Sequence, residues 1–288
     1  MTYRAPVIIL LIGLISYTLL IVPFTSYMRS KPIEEKLGYV PSIKILKPMS
    51  VDQKELTAAA LVFKVMMYFG DVVGRSQDEG PVVTEQPDLQ GMSRLLHGAV
   101  QLDPYNMDAY YFAQGFLTWD AGQIKVANDM LQYGMKYRTW DWYLPFFAGF
   151  NSAFFLKDYG KAAEFYQRAG KLSGQQLHIN LAGRYLQESG HTDLAIAYLT
   201  GMVKTAKNEA VKKSYQTRLA AFQGVRRIEQ ARDRFLAERG NRPVSVNQLV
   251  QSGYLAPAPV DPYGGRFFFD DAGKVSTTSK FAFATKNK

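Results

Sequence analysis

The residues of this chain that could do chemistry are few and lie far apart. His97, His178 and His191 are the three histidines, and no two of them have the spacing that places metal ligands on one helix face. There is no cysteine, which excludes disulfides, cysteine zinc sites and a thiol nucleophile. The sequence has no phosphate-binding glycine loop, dinucleotide-binding glycine pattern or nucleophile elbow. We therefore expect a non-enzyme with no catalytic residue, metal ligand or cofactor.

Two pairs of neighbouring acidic residues are the remaining candidates for acid–base chemistry. Glu34–Glu35 and Asp78–Glu79 lie in connectors that contain Pro or Gly, where solvated charges are the ordinary expectation. A paired-carboxylate hydrolase needs two carboxyl groups that converge on one bond. Nothing in the sequence points to such a pair, and this alternative stays open.

The net charge of +9 limits the classes of partner. Such a charge suits anionic lipid headgroups, nucleic acid or acidic proteins. The basic residues are spread along the chain, and no run of five or more Lys or Arg occurs. A nucleic-acid partner is therefore not predicted.

The N-terminal segment predicts a membrane anchor. Residues 6–24 read PVIILLIGLISYTLLIVPF and carry no charge. About 20 apolar residues cross a hydrocarbon core of about 30 Å, and Tyr3 and Tyr27 stand where aromatic belts form. The alternative is a cleaved signal peptide, but the apolar run is longer than a signal peptide needs. We predict an uncleaved transmembrane helix in contact with the bilayer.

The charges beside this segment leave its orientation open. Arg29, Lys31 and Lys36 follow the segment, whereas only Arg4 precedes it. The positive-inside rule alone favours a cytoplasmic C-terminal part. A short N-terminal tail with one Arg is also typical of signal anchors that place the following domain outside.

Residues 29–90 predict a connector with one helix. Prolines make residues 29–49 mostly extended, and 76–90 a polar loop. Ser50 and Gln53 match a capping box, which predicts a helix over 51–74. Its expected buried face recurs every three or four residues: Leu56, Ala59, Ala60, Phe63, Met66, Met67 and Gly70.

Residues 91–222 have a helical pattern with an internal repeat. Gly115 and Gly183 are each followed twelve residues later by an alanine, and the two glycines are 68 residues apart, twice a period of 34. A middle copy, KDYGKAAEFYQRA, covers residues 157–169. The pattern resembles the tetratricopeptide repeat, whose small residues let paired helices pack closely. The middle copy departs from it, because Phe150 stands where a small residue is expected.

The tetratricopeptide resemblance implies a concave groove that binds partner proteins. If Gly115, Phe150 and Gly183 occupy the same position in successive repeats, the geometry of the family predicts which residues line the concave face. These residues are Phe112, Phe116, Trp119, Phe147, Asn151, Phe154, Asn180, Arg184 and Gln187. A groove that is apolar at one end and polar with one Arg at the other suits an extended or helical peptide.

The segment after the repeats predicts a long basic helix over 211–239. Its apolar stripe comprises Tyr215, Leu219, Phe222, Ile228 and Phe235. Its other faces carry Arg218, Arg226, Arg227, Arg232 and Arg234. We expect these arginines to form a solvated basic face, with a dedicated anion site as the alternative.

Strong local signals predict a small α+β module at the C-terminus. Ser245 and Gln248 make a capping box, and Gly253 stops the short helix that follows. Residues 266–269 and 274–278 then read as two strands, and Asp271-Ala-Gly273 suits the turn of a β-hairpin between them.

Residues 232–278 are similar to the C-terminal half of major pseudopilins of type II secretion and of some type IV pilin-like proteins. The similarity rests on a long helix, PVSVNQL, GYL, the segment DPYGG and an aromatic strand. The processed pilin N-terminus is missing from residues 1–24, so we do not expect a filament subunit. The resemblance implies Asp261, Asp270 and Asp271 as candidate oxygen ligands of calcium. The favoured alternative is that Asp261 caps a turn and that Asp270–Asp271 begin the hairpin.

Together these patterns predict a mainly α protein with one transmembrane helix, helical-hairpin repeats and a small α+β module with a β-hairpin. The expected divisions are an anchor at 1–28, a connector at 29–90, repeats at 91–222, and the long helix with its pseudopilin-like module at 223–288. The resemblances favour a scaffold for a pilus, secretion or export system, in the inner (cell) membrane with its soluble part on the periplasmic side. The alternatives are an accessory subunit of cell-envelope glycan synthesis or processing and a cytoplasmic adaptor at the membrane surface.

Overall fold

The computed structural model describes residues 4–76, 80–83 and 87–279 of this chain. Tyr3, Asp78 and Glu79, which the sequence patterns single out, lie outside these ranges. The described chain is mainly helical, as predicted. It divides into two compact units between Tyr137 and Arg138, and each unit is described by itself.

The first unit begins with the predicted apolar helix. Helix α1 spans Arg4–Ser30, and its segment Pro6–Met28 is long and apolar enough to cross a membrane, with none of it buried in the protein. The hydroxyl groups of Thr18 and Thr25 donate to helix carbonyls one turn earlier, at 3.1 Å and 2.6 Å. In a lipid bilayer, which offers no hydrogen-bond partner, these bonds would satisfy the two hydroxyl donors.

The connector after α1 is more helical than predicted. Helices α2 (Ile33–Lys36) and α3 (Ile43–Met49) occupy much of the segment that was expected to be extended. The Ser50 hydroxyl donates to the Leu46 carbonyl at 2.7 Å and so lies at the end of α3. The predicted capping box at Ser50 is therefore wrong, and α4 begins later, at Lys54, and ends at Val72.

The buried face of α4 is the opposite of the predicted one. Residues Ala58, Leu61, Val62, Val65, Tyr68 and Val72 are buried, and α4 packs on α5 (Leu89–Leu102). All residues of the predicted stripe, including Leu56, Phe63 and Met67, are exposed. The prediction failed because α4 is apolar on both faces, so helical periodicity cannot choose between them.

A short hairpin replaces part of the loop predicted after α4. Strands β1 (Val73–Ser76) and β2 (Gly80–Val83) pair antiparallel, with Val73 opposite Val83. Helix α5 follows and is capped by the Asp88 side chain. The unit continues through α6 (Met107–Gly115), a π-helical turn (Phe116–Asp120) and α7 (Ile124–Tyr137).

The second unit begins with two helix pairs in the region of the repeat pattern. They are α8 (Tyr143–Phe154) with α9 (Tyr159–Ser173), and α10 (Gln176–Glu188) with α11 (Thr192–Thr205), and each pair packs together. Small residues lie at these contacts: Ala162 and Ala195 are fully buried, and a Cβ at Gly183 would lie 3.4 Å from Leu199. Membership of the tetratricopeptide family stays a prediction.

The long helix is confirmed as α12, which spans Glu209–Arg239 and ends at Gly240 in the left-handed region. The small module packs on it with α13 (Val246–Gln251), β3 (Phe267–Phe269) and β4 (Val275–Thr277). The hairpin register places Phe269 opposite Val275. The core of this unit includes Phe222, Ile228, Leu249 and Val275.

The arginines of α12 are not a merely solvated face. Arg227 donates to the Pro257 carbonyl at 2.6 Å, Arg234 to Tyr254 at 3.0 Å and Arg232 to Gly273 at 2.9 Å. Arg226 pairs with Asp193 at 2.7 Å, and Arg218 is buried. Arg227, Arg232 and Arg234 thus attach the C-terminal module to α12, and Arg226 attaches α12 to α11; the sequence pattern did not predict either attachment.

Asp261, one of the three residues considered for calcium, is a buried turn residue. It is 3% exposed and accepts hydrogen bonds from the Tyr263 amide at 2.9 Å, the Ser279 hydroxyl at 2.6 Å and the Thr277 hydroxyl. Asp270 accepts from two amides of the β3–β4 turn. Both carboxylates therefore stabilise turns, in agreement with the turn-capping alternative.

Candidate partner-binding surfaces

Helix α10 carries the polar end of the predicted groove. Asn180, Arg184 and Gln187 are four and three residues apart, so they share one face of the helix. Asn180 and Arg184 are partly buried, and Gln187 is only 1% exposed. The structure thus places these three predicted site residues side by side.

All three polar residues on this face have a buried atom without a hydrogen-bond partner in the described chain. The atoms are Asn180 Oδ1, Arg184 Nε and Gln187 Nε2. Leaving a buried donor or acceptor unpaired costs about 1–3 kcal/mol of stability. A ligand that pairs with these atoms would remove that cost.

An aromatic ring lies beside Arg184 but supplies no negative charge. The Arg184 guanidinium lies 5.7 Å from the centre of the Tyr185 ring. Tyr185 in turn stacks on Tyr166 at 5.5 Å and on Tyr159 at 5.8 Å. Burial raises the pKa of Tyr166 and of Tyr185, although the charge of Arg184 lowers both in part. Both phenols stay neutral near pH 7, so neither neutralises the guanidinium.

Helix α8 carries the middle part of the predicted groove, and the three predicted residues on it differ in their exposure to solvent. Phe154 is 53% exposed, stacks on Phe150 at 5.4 Å and has the Lys157 ammonium 5.3 Å from its ring centre. Phe147 is partly buried against the Tyr143 ring at 4.3 Å. Asn151 is fully buried, so the free protein offers a partner no surface at this residue.

The burial of Asn151 follows from the packing of the middle helix pair. A Cβ at Gly149 would lie 3.2 Å from the Tyr166 ring, so Gly149 rather than Phe150 makes the close approach to α9. The assumed register at Phe150 is therefore displaced by one residue. A displacement of one residue turns a helix face by about 100°, which is enough to carry Asn151 into the core.

The predicted aromatic end lies in the first unit, on α6 and the π-helical turn. Phe112 and Phe116 stack at 6.3 Å, and Phe69 of α4 meets them edge-on at 5.8 Å and 6.1 Å. Phe116 is 2% exposed, whereas Trp119 is 58% exposed. Trp119 is thus the residue of this end with a large open surface.

Sequence reasoning missed two features that bear on binding. The first is the exposed apolar face of α4. The second is a cavity of about 250 Å³ between α10 and the C-terminal hairpin. Its lining comprises Arg184, Gln187, Glu188, Asp270, Lys274, Val275, Ser276 and Thr277. Local patterns cannot find such a cavity, because its two walls lie far apart in the chain.

Comparison with known families and proteins gives this chain no assignment. No protein-family model matches the sequence, and no curated protein matches it.

Proposed function

We propose that this chain is a membrane-anchored scaffold with tetratricopeptide-like repeats that binds partner proteins during assembly of an envelope machine. Such a machine would be a pilus, secretion or export system, and the pseudopilin-like C-terminal module supports this class of partner. Helix α1 would hold the chain in the inner membrane through residues 6–24, with the soluble part on the periplasmic side. Its length and apolar composition support the anchor.

The exposed apolar face of α4 carries this proposal. Leu56, Phe63, Met66 and Met67 are 66%, 64%, 46% and 56% exposed, while the opposite face of α4 is buried. Contiguous apolar surface of this kind marks contacts with proteins or membranes. Methionine side chains adapt to partners of different shape, which suits a scaffold.

Photo-crosslinking from this face tests the proposal. The full-length chain would carry p-benzoylphenylalanine in place of Phe63 in native membranes, with Gln230, an exposed residue of α12, as the matched control site. We expect protein adducts only at position 63, identified by mass spectrometry as components of an envelope machine. Met67→Glu should reduce them. Adducts to lipid alone, or the same adducts at both sites, would contradict the proposal.

A fusion of alkaline phosphatase to residue 288 tests the proposed location. The enzyme folds only outside the cytoplasm because it needs disulfides, which form in oxidising compartments. An active fusion is expected. An inactive fusion that accumulates to the same level would favour the cytoplasmic membrane-surface adaptor.

A role in glycan processing gains no support from the cavity beside α10. Glu188 and Asp270 both line it, but Glu188 pairs with Lys274 at 2.7 Å. Asp270 accepts from the amides of Ala272 and Lys274, at 3.1 Å and 2.8 Å. Each carboxylate therefore has a structural partner, and the two do not converge on a shared ligand position that would favour this alternative.

A further inference from the structure

The cavity between α10 and the β3–β4 hairpin has the size of a small ligand group. Its volume of about 250 Å³ is below the 300–1,000 Å³ of most small-molecule pockets. Residues from α10 form one wall, and residues from the hairpin turn and β4 form the other. It would therefore take one side chain or chain end of a partner rather than a whole cofactor.

Two hydrogen-bond donors on the α10 wall lack acceptors. Gln187 Nε2 and Arg184 Nε are buried and have no hydrogen-bond partner among the residues that the structure describes. Both residues line the cavity, and the Gln187 side chain is almost wholly inaccessible to water. An acceptor that enters the cavity would pair with donors that water does not reach.

The other charges of the cavity are already engaged. Lys274 donates to the Glu188 carboxylate at 2.7 Å and to the Glu188 carbonyl at 2.8 Å. The Asp270 carboxylate holds the hairpin turn. Within the described ranges Arg184 forms no ion pair with Glu188, Asp270 or any other carboxylate.

A second guanidinium close to Arg184 adds to the positive field. Arg218 is 6% exposed and lies over the Tyr263 ring at 5.8 Å. Burial lowers the pKa of Arg218, contact with Tyr263 raises it, and the charge of Arg184 lowers it further. Two like charges that interact in a buried region favour an anion nearby.

We infer that this cavity binds a carboxylate of a partner protein, which accepts hydrogen bonds from Arg184 Nε and Gln187 Nε2. A charged hydrogen bond from guanidinium to carboxylate is among the stronger polar contacts in proteins. A single negative charge fits better than a phosphate dianion, because Glu188 and Asp270 also line the cavity. The inference rests on the proposed function in that a partner protein supplies the carboxylate, and it gives the C-terminal hairpin a part in binding.

Titration with small probes tests this site in the full-length chain in lipid nanodiscs. The probe is acetate, acetamide is its neutral control, and sodium chloride keeps the ionic strength constant. The readout is the ¹⁵N–¹H signals of the Arg184 Nε and Gln187 Nε2 groups, with selective labelling of Arg and Gln. We expect saturable acetate shifts of both signals in the millimolar range and none with acetamide. Absence of a saturable shift, or tighter binding of inorganic phosphate than of acetate, would overturn the inference.

Variants link the signal to the two donors. Arg184→Gln should abolish acetate binding, and Gln187→Met, which keeps the length of the side chain, should weaken it about tenfold, as loss of one such hydrogen bond does. Arg239→Gln removes an exposed arginine of the same unit and should change nothing. Equal weakening by Arg239→Gln would mean nonspecific charge attraction and would overturn the inference.

Two further results separate the two proposals. Acetate binding without protein adducts at Phe63 would contradict the scaffold proposal alone. Adducts without acetate binding would contradict this inference alone.

Discussion

Gln187 shows how one residue can lower the stability of the free protein. Its side chain is 1% exposed, yet its amide nitrogen has no hydrogen-bond partner in the described chain. The repeat pattern of the sequence predicts Gln187 on the concave face of the expected groove. The sequence could not predict its burial, because the second wall of the cavity comes from the distant residues of the hairpin.

We expect Gln187→Met to stabilise the free protein. Removing an unpaired buried donor and keeping the side-chain volume should raise the free energy of unfolding by about 1–3 kcal/mol. Thermal unfolding followed by circular dichroism measures the change. Gln216→Met, at an exposed site of α12, is the control and should shift the melting temperature little. A lower melting temperature for Gln187→Met would mean that its amide makes a stabilising bond.

His178 should make stability depend on pH below neutrality. It is 2% exposed, contacts the Trp142 and Phe146 rings at 4.9 Å and 4.8 Å, and shares a hydrogen bond with Ser173 at 2.8 Å. Burial lowers the pKa of His178 below its ordinary value of about 6.5, and a hydrogen bond to the Ala169 backbone raises it in part. The neutral ring is therefore the form that the folded state favours.

The stability that neutral His178 contributes is present above about pH 6.5 and is lost as the pH falls towards its lower folded-state pKa. His178→Gln keeps a polar group near Ser173 but does not titrate. We expect the melting temperature of the variant to fall less than that of the wild type between pH 7 and pH 5. Parallel curves would show that His178 does not contribute to the pH dependence.

At the scale of elements, the recurring small residue predicted a close helix contact correctly at Gly183 but not at Gly115, where an added Cβ would have nothing within 4 Å. Gly183 does lie against Leu199 of α11. The sequence was misleading in the middle pair, since Gly149 and Phe150 are adjacent and only packing decides which of them faces α9. The sequence pattern was also misleading for α4, because both the buried face and the exposed face of this helix carry apolar residues.

Gly183→Leu should separate α10 from α11. A Cβ at Gly183 would already lie 3.4 Å from Leu199, so a larger side chain must displace it, at a cost of about 1–3 kcal/mol. Gly201→Leu in α11 is the matched control, because a Cβ there has nothing within 4 Å. Chemical denaturation of both variants measures the difference. Equal free energies of unfolding would show that the contact is not tight.

For the whole molecule, the order of elements along the chain was predictable: an apolar helix, helical pairs, a long helix and a capped module with a hairpin. The capping of α13 by Ser245 follows from local sequence, with the Gln248 amide 3.2 Å from the Ser245 hydroxyl. The attachment of this module to α12 was not predictable, because the bonds of Arg227 and Arg234 reach carbonyls 30 and 20 residues away.

Deletion of residues 1–28 should give a soluble, folded protein. No residue of the segment Pro6–Met28 is fully buried in the protein, so its removal takes no side chain out of a core. We expect the shortened chain to remain in the supernatant after ultracentrifugation and to keep its helical circular dichroism. Aggregation with loss of helical signal would show that α1 stabilises the rest of the chain.

The arginines that hold the C-terminal module have a consequence for how its sequence can change. Arg227, Arg232 and Arg234 donate to the main-chain carbonyls of Pro257, Gly273 and Tyr254, and every amino acid has a carbonyl of this kind. The side chains of the accepting residues are therefore not what these bonds recognise. Substitutions there can accumulate over evolution without loss of the attachment as long as the path of the backbone is kept, whereas loss of the arginines would weaken it and leave the shared hydrophobic core to hold the module.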